Sequence, residues 1–418
     1  MSKPFIPAEI SYPTVWFLDA AFPMIAKTAL NLEGVEITDT DRKMLRGLQK
    51  KRILYMSNHP STIEPPVAYY VANAMGSRFH YMASRIVFDW GFGFVGELIK
   101  RIGAFSVLSG GADREALKTA RSVLSSDSGK LVIYPEGMNG MENDNMLPFQ
   151  PGAVQIGFWA YEDLKKKNSN EDIQILPAFV KYVLTSGREK LLKEITKSIG
   201  RIEDKLGIKA GERNLLRRFL FAGRVVLETA EKEYGIVPSA DQDMKYRIGH
   251  VRHAALNKAA QDMGLSFDEN ADAIAKIREV FTALESFETG FHDAKRKEID
   301  KEKIPEIKKH LERAYTFIVI KPDYLISRPT AERFMEWIYR FESLLFGKTE
   351  LRPRKAILSF APLISFADYY ADYKQDKKKT VEKVTQFLRS QIEDMMHKSI
   401  PLSEPIVTPF DVGPDLQI

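Results

Sequence analysis

The sequence predicts an α/β fold that a long helical insertion interrupts, and three observations support this prediction. Short apolar runs alternate with helical patterns through roughly the first 180 residues. From about residue 185 to 350, strand-like runs almost vanish and long charged helical patterns replace them. An apolar, strand-like run then returns at Lys355–Phe360, and a last helical pattern follows at Asp376–Met396.

The elements of the first part are predicted from hydrophobic periodicity and end signals. The predicted strands are Arg52–Met56, Arg78–Ala83, Ala104–Val107, Lys130–Tyr134 and Ile173–Tyr182. The predicted helices between them are Glu64–Met75, Val87–Arg101, Asp113–Ser125 and Gly152–Asp163. Asp113 is the expected N-cap of its helix, because apolar residues follow it at helical spacing.

The domain organisation follows from this change of character. Residues 1–184 and 351–400 are predicted to form one discontinuous α/β domain, residues 185–350 a helical insertion and residues 401–418 a C-terminal tail. Within the insertion, the longest helical patterns are Asn214–Glu233, Ala271–Ser286 and Thr330–Phe346. Two consecutive domains are the alternative arrangement.

Composition narrows the classes of partner and chemistry. The formal net charge of +5 and a pI near 8.9 favour an anionic partner, such as a phospholipid surface or a phosphorylated substrate. Nucleic-acid binding is not predicted, because Lys and Arg mostly alternate with Asp and Glu on solvated helix faces. The chain has no cysteine, which excludes disulfides, a thiolate nucleophile and cysteine-based zinc sites.

The most apolar stretch near the N-terminus is Tyr12–Leu30. Asp19, Pro23 and Lys27 interrupt it, so it lacks the roughly 20 uninterrupted apolar residues that a membrane span needs. We therefore predict a helix that lies on a surface. That surface is either the protein's own core or a membrane interface, and the sequence does not choose between them.

A histidine and a carboxylate stand five residues apart directly after the first predicted strand, in the run Ser57-Asn58-His59-Pro60-Ser61-Thr62-Ile63-Glu64. In such a pair the carboxylate fixes the imidazole tautomer and stabilises the imidazolium that forms when the histidine accepts a proton. Chance alone yields about one such pair in a chain with seven histidines and 56 acidic residues. The surrounding sequence must therefore supply the support.

Three further blocks follow at intervals, namely Gly103–Val107, Ile133–Gly137 and Ile175–Ala178. With the histidine block, they resemble the four motifs of the 1-acylglycerol-3-phosphate acyltransferases and their glycerol-3-phosphate relatives. In that family the first block is Asn-His-x4-Asp, the third is Phe-Pro-Glu-Gly and the fourth is a Val/Ile-Pro strand. The resemblance covers roughly Leu32–Tyr182 and, more faintly, Lys355–Met396.

The resemblance implies a three-layer core in which His59 is the general base and Glu64 orients it, in a loop at the mouth of a cleft. A fatty acyl group would pass from acyl-CoA or an acyl-carrier protein to a hydroxyl of a lysophospholipid or other glycerolipid. It implies no acyl-enzyme, no metal and no organic cofactor. The substrate-binding residues carried over by position are Asn58, Ser61, Glu136 and Gly137. Such an enzyme is expected on the cytoplasmic face of a membrane, attached peripherally, with the helical insertion beside the cleft.

The chain departs from the family pattern at three places. Glu64 replaces the usual Asp, Ser109 stands where an acceptor-binding Arg is usual, and Met138-Asn139 replaces Thr-Arg. Arg101 and Arg114 flank the missing charge and are the predicted replacements, with ordinary surface arginines as the alternative. Acylation of glycerol 3-phosphate or of a non-phosphorylated acceptor therefore stays open, as does a non-catalytic, membrane-associated lipid-binding module.

The remaining motifs carry less. The run Gly91–Gly96 has dinucleotide-binding spacing but lacks the strand before it, so we interpret it as a tight apolar segment that lines an acyl-chain channel. No Gly-x-Ser-x-Gly elbow is present. The other histidines form no convincing metal cluster. Leu215–Phe221 and Phe334–Phe346 mix aromatic and basic residues, which fits either an interfacial helix or, as the favoured alternative, a buried helix bundle.

Overall fold

The computed structural model describes residues 5–108, 113–239, 241–268, 271–290 and 299–409. Over these residues the chain divides into two compact units. The first contains residues 5–183 and 353–401, and the second contains residues 184–352 and 402–409. The first unit is therefore discontinuous in sequence.

The first unit is built on a mostly parallel sheet, in which eight strands are described. The strands are β1 (Leu32–Glu36), β2 (Arg52–Ser57), β3 (His80–Ser84), β4 (Ala104–Val107), β5 (Lys130–Ile133), β6 (Ile173–Leu184), β7 (Arg354–Phe360) and β8 (Ile364–Ser365). Their order is β1-β7-β6-β2-β5-β3-β4, and β8 pairs antiparallel with β6. The central strand β2 is parallel to both β5 and β6.

Helices cover both faces of this sheet, because alternate residues of each buried strand point to opposite sides. The helices of this unit are α1 (Tyr12–Leu30), α2 (Asp39–Gly47), α3 (Glu64–Met75), α4 (Phe94–Arg101), α5 (Arg114–Ser125), α6 (Gly152–Lys166), α14 (Phe366–Gln375) and α15 (Lys377–Ser399). On one side of the sheet, Leu54 and Met56 of β2 belong to a core that is completed by α5, α6, α14 and α15. On the other side, Ile53 and Tyr55 pack with α1, α2 and α3. The predicted three-layer α/β fold class is confirmed.

One predicted helix of this unit is wrong in its first half. Over Val87–Arg101 the structure has a 3₁₀ segment, Arg85–Gly93, and α4 begins only at Phe94. Gly91 and Gly93 have positive φ, as does the intervening Phe92 at 57°. Glycine adopts this left-handed conformation at little cost, so the two glycines end the helical pattern there.

Helix α1 matches the predicted surface helix residue for residue. Val15, Leu18 and Ala26 are buried, whereas its other side exposes large apolar side chains. Four of these residues are 62–67% exposed, namely Tyr12, Trp16, Phe17 and Met24. Among the described residues, no helix combines the length and the apolarity that crossing a bilayer requires.

The second unit is helical. Its helices are α7 (Arg188–Leu206), α8 (Leu215–Glu233), α9 (Met244–Met263), α10 (Ala273–Glu288), α11 (Ile304–Val319), α12 (Pro322–Ser327) and α13 (Ala331–Phe346). Phe219 of α8 and Phe334 and Trp337 of α13 are buried in its core, so the buried-bundle alternative holds for these two helices. Residues 402–409, predicted as part of a tail, join this unit, where the Ile406 N–H donates to the Pro329 carbonyl at 3.0 Å.

Candidate active site

The histidine loop leaves the sheet at the carboxyl end of β2, where the Asn58 side chain is hydrogen-bonded to β6. The last paired residues of β2 and β6 are Ser57 and Ala178. The Asn58 side chain then extends the pairing, because its Nδ2 donates to the Val180 carbonyl at 3.0 Å and its Oδ1 accepts from the Val180 N–H at 2.8 Å. Asn58 is fully buried, and its side-chain amide is bonded to the protein backbone. The substrate contact predicted for it stays a prediction.

His59 and Glu64 meet as the five-residue spacing predicts. The distance between His59 Nδ1 and Glu64 Oε2 is 2.5 Å. Glu64 is the first residue of α3, where the helix dipole favours negative charge, and it is 1% exposed. The His59 side chain is 20% exposed, so it remains accessible to solvent. The pair has the arrangement of a general base and the carboxylate that orients it.

The loop after β5 holds the backbone of His59 on both sides. Glu136 Oε1 accepts from the His59 N–H at 2.6 Å, and Oε2 accepts from the Leu147 N–H at 2.7 Å. The Gly140 N–H donates to the His59 carbonyl at 2.8 Å. The Tyr134 ring stacks on the imidazole with 4.5 Å between ring centroids. These contacts leave the histidine little freedom to move.

The Glu136 carboxylate is therefore directed to the backbone N–H groups of His59 and Leu147, and 1% of the residue is exposed. Burial raises the pKa of Glu136 to about 7, although hydrogen bonds from Leu147 and His59 act in the opposite direction. Gly137 lies in an exposed turn with φ of 68°. The acceptor contacts predicted for both residues stay predictions, and the structure adds a positioning role for Glu136.

Ser61 belongs to the same network. Its N–H donates to Glu64 Oε2 at 3.2 Å, and its hydroxyl accepts from Arg354 Nη2 at 3.2 Å. It is 8% exposed. Its hydroxyl and N–H thus both have protein partners, and the substrate contact predicted for it stays a prediction.

The two arginines expected to replace the missing charge lie at opposite ends of strand β4. Arg101 precedes the amino end of β4, whereas His59 follows the carboxyl end of the parallel strand β2, and Arg101 donates to Glu97 at 2.7 Å. Arg114 is the exposed first residue of α5 and follows the carboxyl end of β4. It therefore lies on the side of the sheet where the strands end, as His59 does. Ser109 lies outside the described residues. The geometry favours Arg114 over Arg101 as an acceptor contact.

Two residues of this site had no motif to reveal them. The Tyr182 hydroxyl donates to Glu64 Oε1 at 2.6 Å, and the Arg354 guanidinium lies 4.9 Å from the Tyr182 ring centroid. They stand 118 and 290 positions after Glu64, so no local spacing connects them to it. The fainter resemblance of Lys355–Met396 to the end of the family domain was the only signal near Arg354, and it begins one residue after Arg354.

No group of three or more His, Asp or Glu residues in the described part of the chain is placed to hold a metal ion. Trp90, Phe92 and Phe94, in and beside the glycine run, are exposed. The prediction that this run lines an acyl-chain channel stays a prediction.

Comparison with known proteins agrees with the motif blocks. Residues 35–181 match the family model described as Acyltransferase, a segment that contains β2 to β5 and the His59–Glu64 loop. No curated protein matches the chain at a significant level. Residues 35–181 of this chain therefore form an acyltransferase-family domain, of the family of glycerolipid acyltransferases such as the 1-acylglycerol-3-phosphate acyltransferases.

Proposed function

We propose that this acyltransferase moves a fatty acyl group from an acyl thioester to a hydroxyl of a lysophospholipid or related glycerolipid, with His59 as the general base. The observation that carries the proposal is the 2.5 Å contact between a partly exposed His59 and a buried Glu64, inside an acyltransferase-family domain. A positioned base of this kind contributes about 10²–10⁴-fold to a rate.

The step balances without an acyl-enzyme. His59 Nε2 takes the proton of the acceptor hydroxyl while the hydroxyl oxygen attacks the thioester carbonyl carbon. The tetrahedral intermediate then breaks its C–S bond, and the thiolate leaves with the proton that His59 carried. Glu64 holds the Nδ1 proton throughout and stabilises the imidazolium between the two transfers. The donor is acyl-CoA or an acyl-carrier protein, and the reaction uses no metal or organic cofactor.

We propose that Arg114 contacts the acceptor's phosphate, because it begins α5 at the edge of the sheet that carries His59. The acceptor then belongs to the phosphorylated lipids, despite the Ser109 substitution. Glycerol 3-phosphate is the competing acceptor of the same class, and an acceptor panel separates the two.

We further propose that the protein works at a membrane surface, to which it attaches peripherally on the cytoplasmic face. Support comes from the exposed face of α1, which presents Tyr12, Trp16 and Phe17. The first charge of the helix, Asp19, is 30% exposed and pairs with Arg78. Tyrosine and tryptophan are favoured at the boundary between headgroups and acyl chains. Co-sedimentation with anionic vesicles should fall severalfold in a Trp16→Ser, Phe17→Ser variant. Equal binding by this variant would remove α1 from the attachment surface.

The decisive experiment is acyl transfer by the purified chain. A panel of labelled acyl-CoA and acyl-carrier protein donors is offered with lysophosphatidate, glycerol 3-phosphate and a monoacylglycerol, beside His59→Ala. We expect turnover with a phosphorylated acceptor and its loss in His59→Ala. Turnover that survives the substitution would overturn His59 as the base. No turnover with any donor would favour the non-catalytic lipid-binding alternative.

A further inference from the structure

Glu64 is held by more than the histidine it orients. Its Oε2 accepts from His59 Nδ1 and from the Ser61 N–H, and its Oε1 accepts from the Tyr182 hydroxyl at 2.6 Å. Both oxygens of a buried carboxylate are therefore engaged from two different elements. Rotation of the carboxylate away from His59 would break the bond to Tyr182.

Tyr182 is itself fixed in place. It lies near the end of β6 and is 5% exposed, and the Asn143 side chain bonds its backbone N–H and carbonyl at 2.9 and 2.5 Å. Burial, together with the nearby Glu64 charge, raises the pKa of Tyr182 well above its ordinary value. The phenol therefore stays protonated at any working pH and donates its hydrogen bond throughout the reaction.

Arg354 supplies a buried positive charge beside this pair. It is 6% exposed and forms no ion pair with a carboxylate of the described residues. Its Nη2 donates to Ser61 Oγ, its guanidinium lies over the Tyr182 ring, and its Nε is buried without a hydrogen-bond partner. Ser61 and Tyr182 each touch both Arg354 and Glu64. Arg354 thus contacts two of the groups that donate hydrogen bonds to Glu64.

Several titratable groups face Glu64 from the elements around it, and any dependence on pH involves them all. They are His59 in the loop after β2, Tyr55 on β2, Tyr134 and Glu136 on and after β5, Tyr182 on β6 and Arg354 on β7. Burial keeps the pKa of each of the three tyrosines above its ordinary value. Of these groups, Tyr182 is the tyrosine that donates to the carboxylate.

We propose that Tyr182 and Arg354 are positioning residues that keep the Glu64 carboxylate aimed at His59 Nδ1. The inference rests on the proposed function, because it concerns the base of that reaction. Tyr182 fixes the orientation of the carboxylate, and Arg354 places a buried cation against Tyr182 and Ser61. A carboxylate that loses the Tyr182 hydrogen bond or the Arg354 charge would hold the imidazolium proton more tightly, and His59 would lose its alignment with the acceptor hydroxyl.

The test compares two tyrosine variants that undergo the same chemical change. Tyr182→Phe removes the hydroxyl bonded to Glu64 and keeps the ring under Arg354. Tyr81→Phe is the matched control, because Tyr81 on β3 is also buried and its hydroxyl has no hydrogen-bond partner. We expect kcat to fall about tenfold or more in Tyr182→Phe, with the KM for the acyl donor unchanged. The acid limb of the pH–rate profile should move to higher pH. Tyr81→Phe should match the wild type.

Arg354 is tested with a charge-conserving pair. Arg354→Gln should move the acid limb in the same direction, and Arg354→Lys should restore it in part because the charge remains. A uniform loss at every pH, with no displacement of the profile, would mean a merely structural role and overturn the proposal. Equal behaviour of Tyr182→Phe and Tyr81→Phe would overturn it as well.

A spectroscopic readout separates this proposal from the proposed function. In protein labelled with ¹⁵N-histidine, the Nδ1–H resonance of His59, assigned by its loss in His59→Ala, should shift in Tyr182→Phe and not in Tyr81→Phe. This result is expected whether or not turnover is detected, so an inactive wild type would refute the acyl transfer alone. An unshifted resonance in Tyr182→Phe would refute the positioning role alone.

Discussion

The two ends of the central strands bury charged groups in opposite ways. At the amino end, the Lys130 ammonium is buried and donates to three backbone carbonyls, those of Gln49, Lys51 and Ser128, at 2.5–2.9 Å. The neighbouring Arg52 pairs with Asp127 and Glu171. These charges bind the turns that precede the strands.

At the carboxyl end, buried carboxylates instead hold a histidine that reaches solvent. Glu64 and Glu136 are each 1% exposed, and both direct an oxygen to His59, whose side chain is 20% exposed. The difference teaches that burial of charge alone does not mark a reactive site. What distinguishes this end is that the buried groups converge on an accessible proton acceptor.

Substitution of His59 is expected to have the largest effect and is the most direct way to break the comparison. His59→Ala should lower kcat about 10³-fold or more, since it removes the base from an otherwise intact site. Acyl transfer measured beside thermal unfolding checks this. If Lys130→Met lowered kcat as much, with its fold intact, the distinction between the two ends would be lost.

Substitution of Lys130 sharpens the comparison from the other end. Burial, with a smaller contribution from Arg52, lowers the pKa of the Lys130 ammonium to about 8 from 10.5. Between these values the unfolded chain binds more protons than the folded one, so this group makes the protein more stable as pH rises from about 8 to 10.5, by at most about 3 kcal/mol. Lys130→Met should abolish this rise in denaturant unfolding and keep acyl transfer at neutral pH. A rise that persists in the variant would point to another group.

Glu136 should show the opposite dependence on pH at the carboxyl end. Its pKa is about 7 in the folded chain against 4.5 as the ordinary value. The folded chain therefore binds the proton more tightly, and stability from this group falls as pH rises from about 4.5 to 7, by at most about 3 kcal/mol. Glu136→Gln should flatten this fall in denaturant unfolding. It should also reduce kcat, because one backbone N–H loses its acceptor. An unchanged slope would contradict the raised pKa.

The smallest expected effect concerns the turn after β5. Gly137 has φ of 68°, and a Cβ there would lie 3.4 Å from Gln150 Cγ. Gly137→Ala should cost about 1–2 kcal/mol of unfolding free energy, because an L-residue is strained in the left-handed region. Gly152→Ala is the control, since Gly152 begins α6 with open space around it and Ala favours the helix. Equal stability of both variants would show that the turn tolerates a Cβ.

Much of the fold was predictable because its signals are local. The predicted helix Glu64–Met75 has the observed bounds, and Asp113 caps α5 by accepting from the Ala116 N–H at 3.0 Å. By contrast, β1 was missed. Leu32–Glu36 contains a glycine and two glutamates, and only its parallel pairing with β7, more than 300 residues away, makes it a strand.

The candidate site divides in the same way. His59, Glu64 and Glu136 were found because they lie in motif blocks beside predicted strands. The sequence did not indicate that Glu136 would bind the backbone of His59, since only the folded loop brings its carboxylate within 2.6 Å of that N–H. Tyr182 and Arg354 were missed because neither lies near His59 in sequence.

The sequence by itself therefore determined the α/β class, the strand that precedes His59, and the histidine–carboxylate pair. The first two follow from periodicity within short segments, and the pair follows from its place among the four motif blocks. The tertiary structure alone decided which groups surround that pair. Parallel strands bring their carboxyl ends to one edge of the sheet whatever their separation along the chain, and this places Tyr182 against Glu64 across 118 residues. Such contacts arise from strand order, and no local pattern records that order.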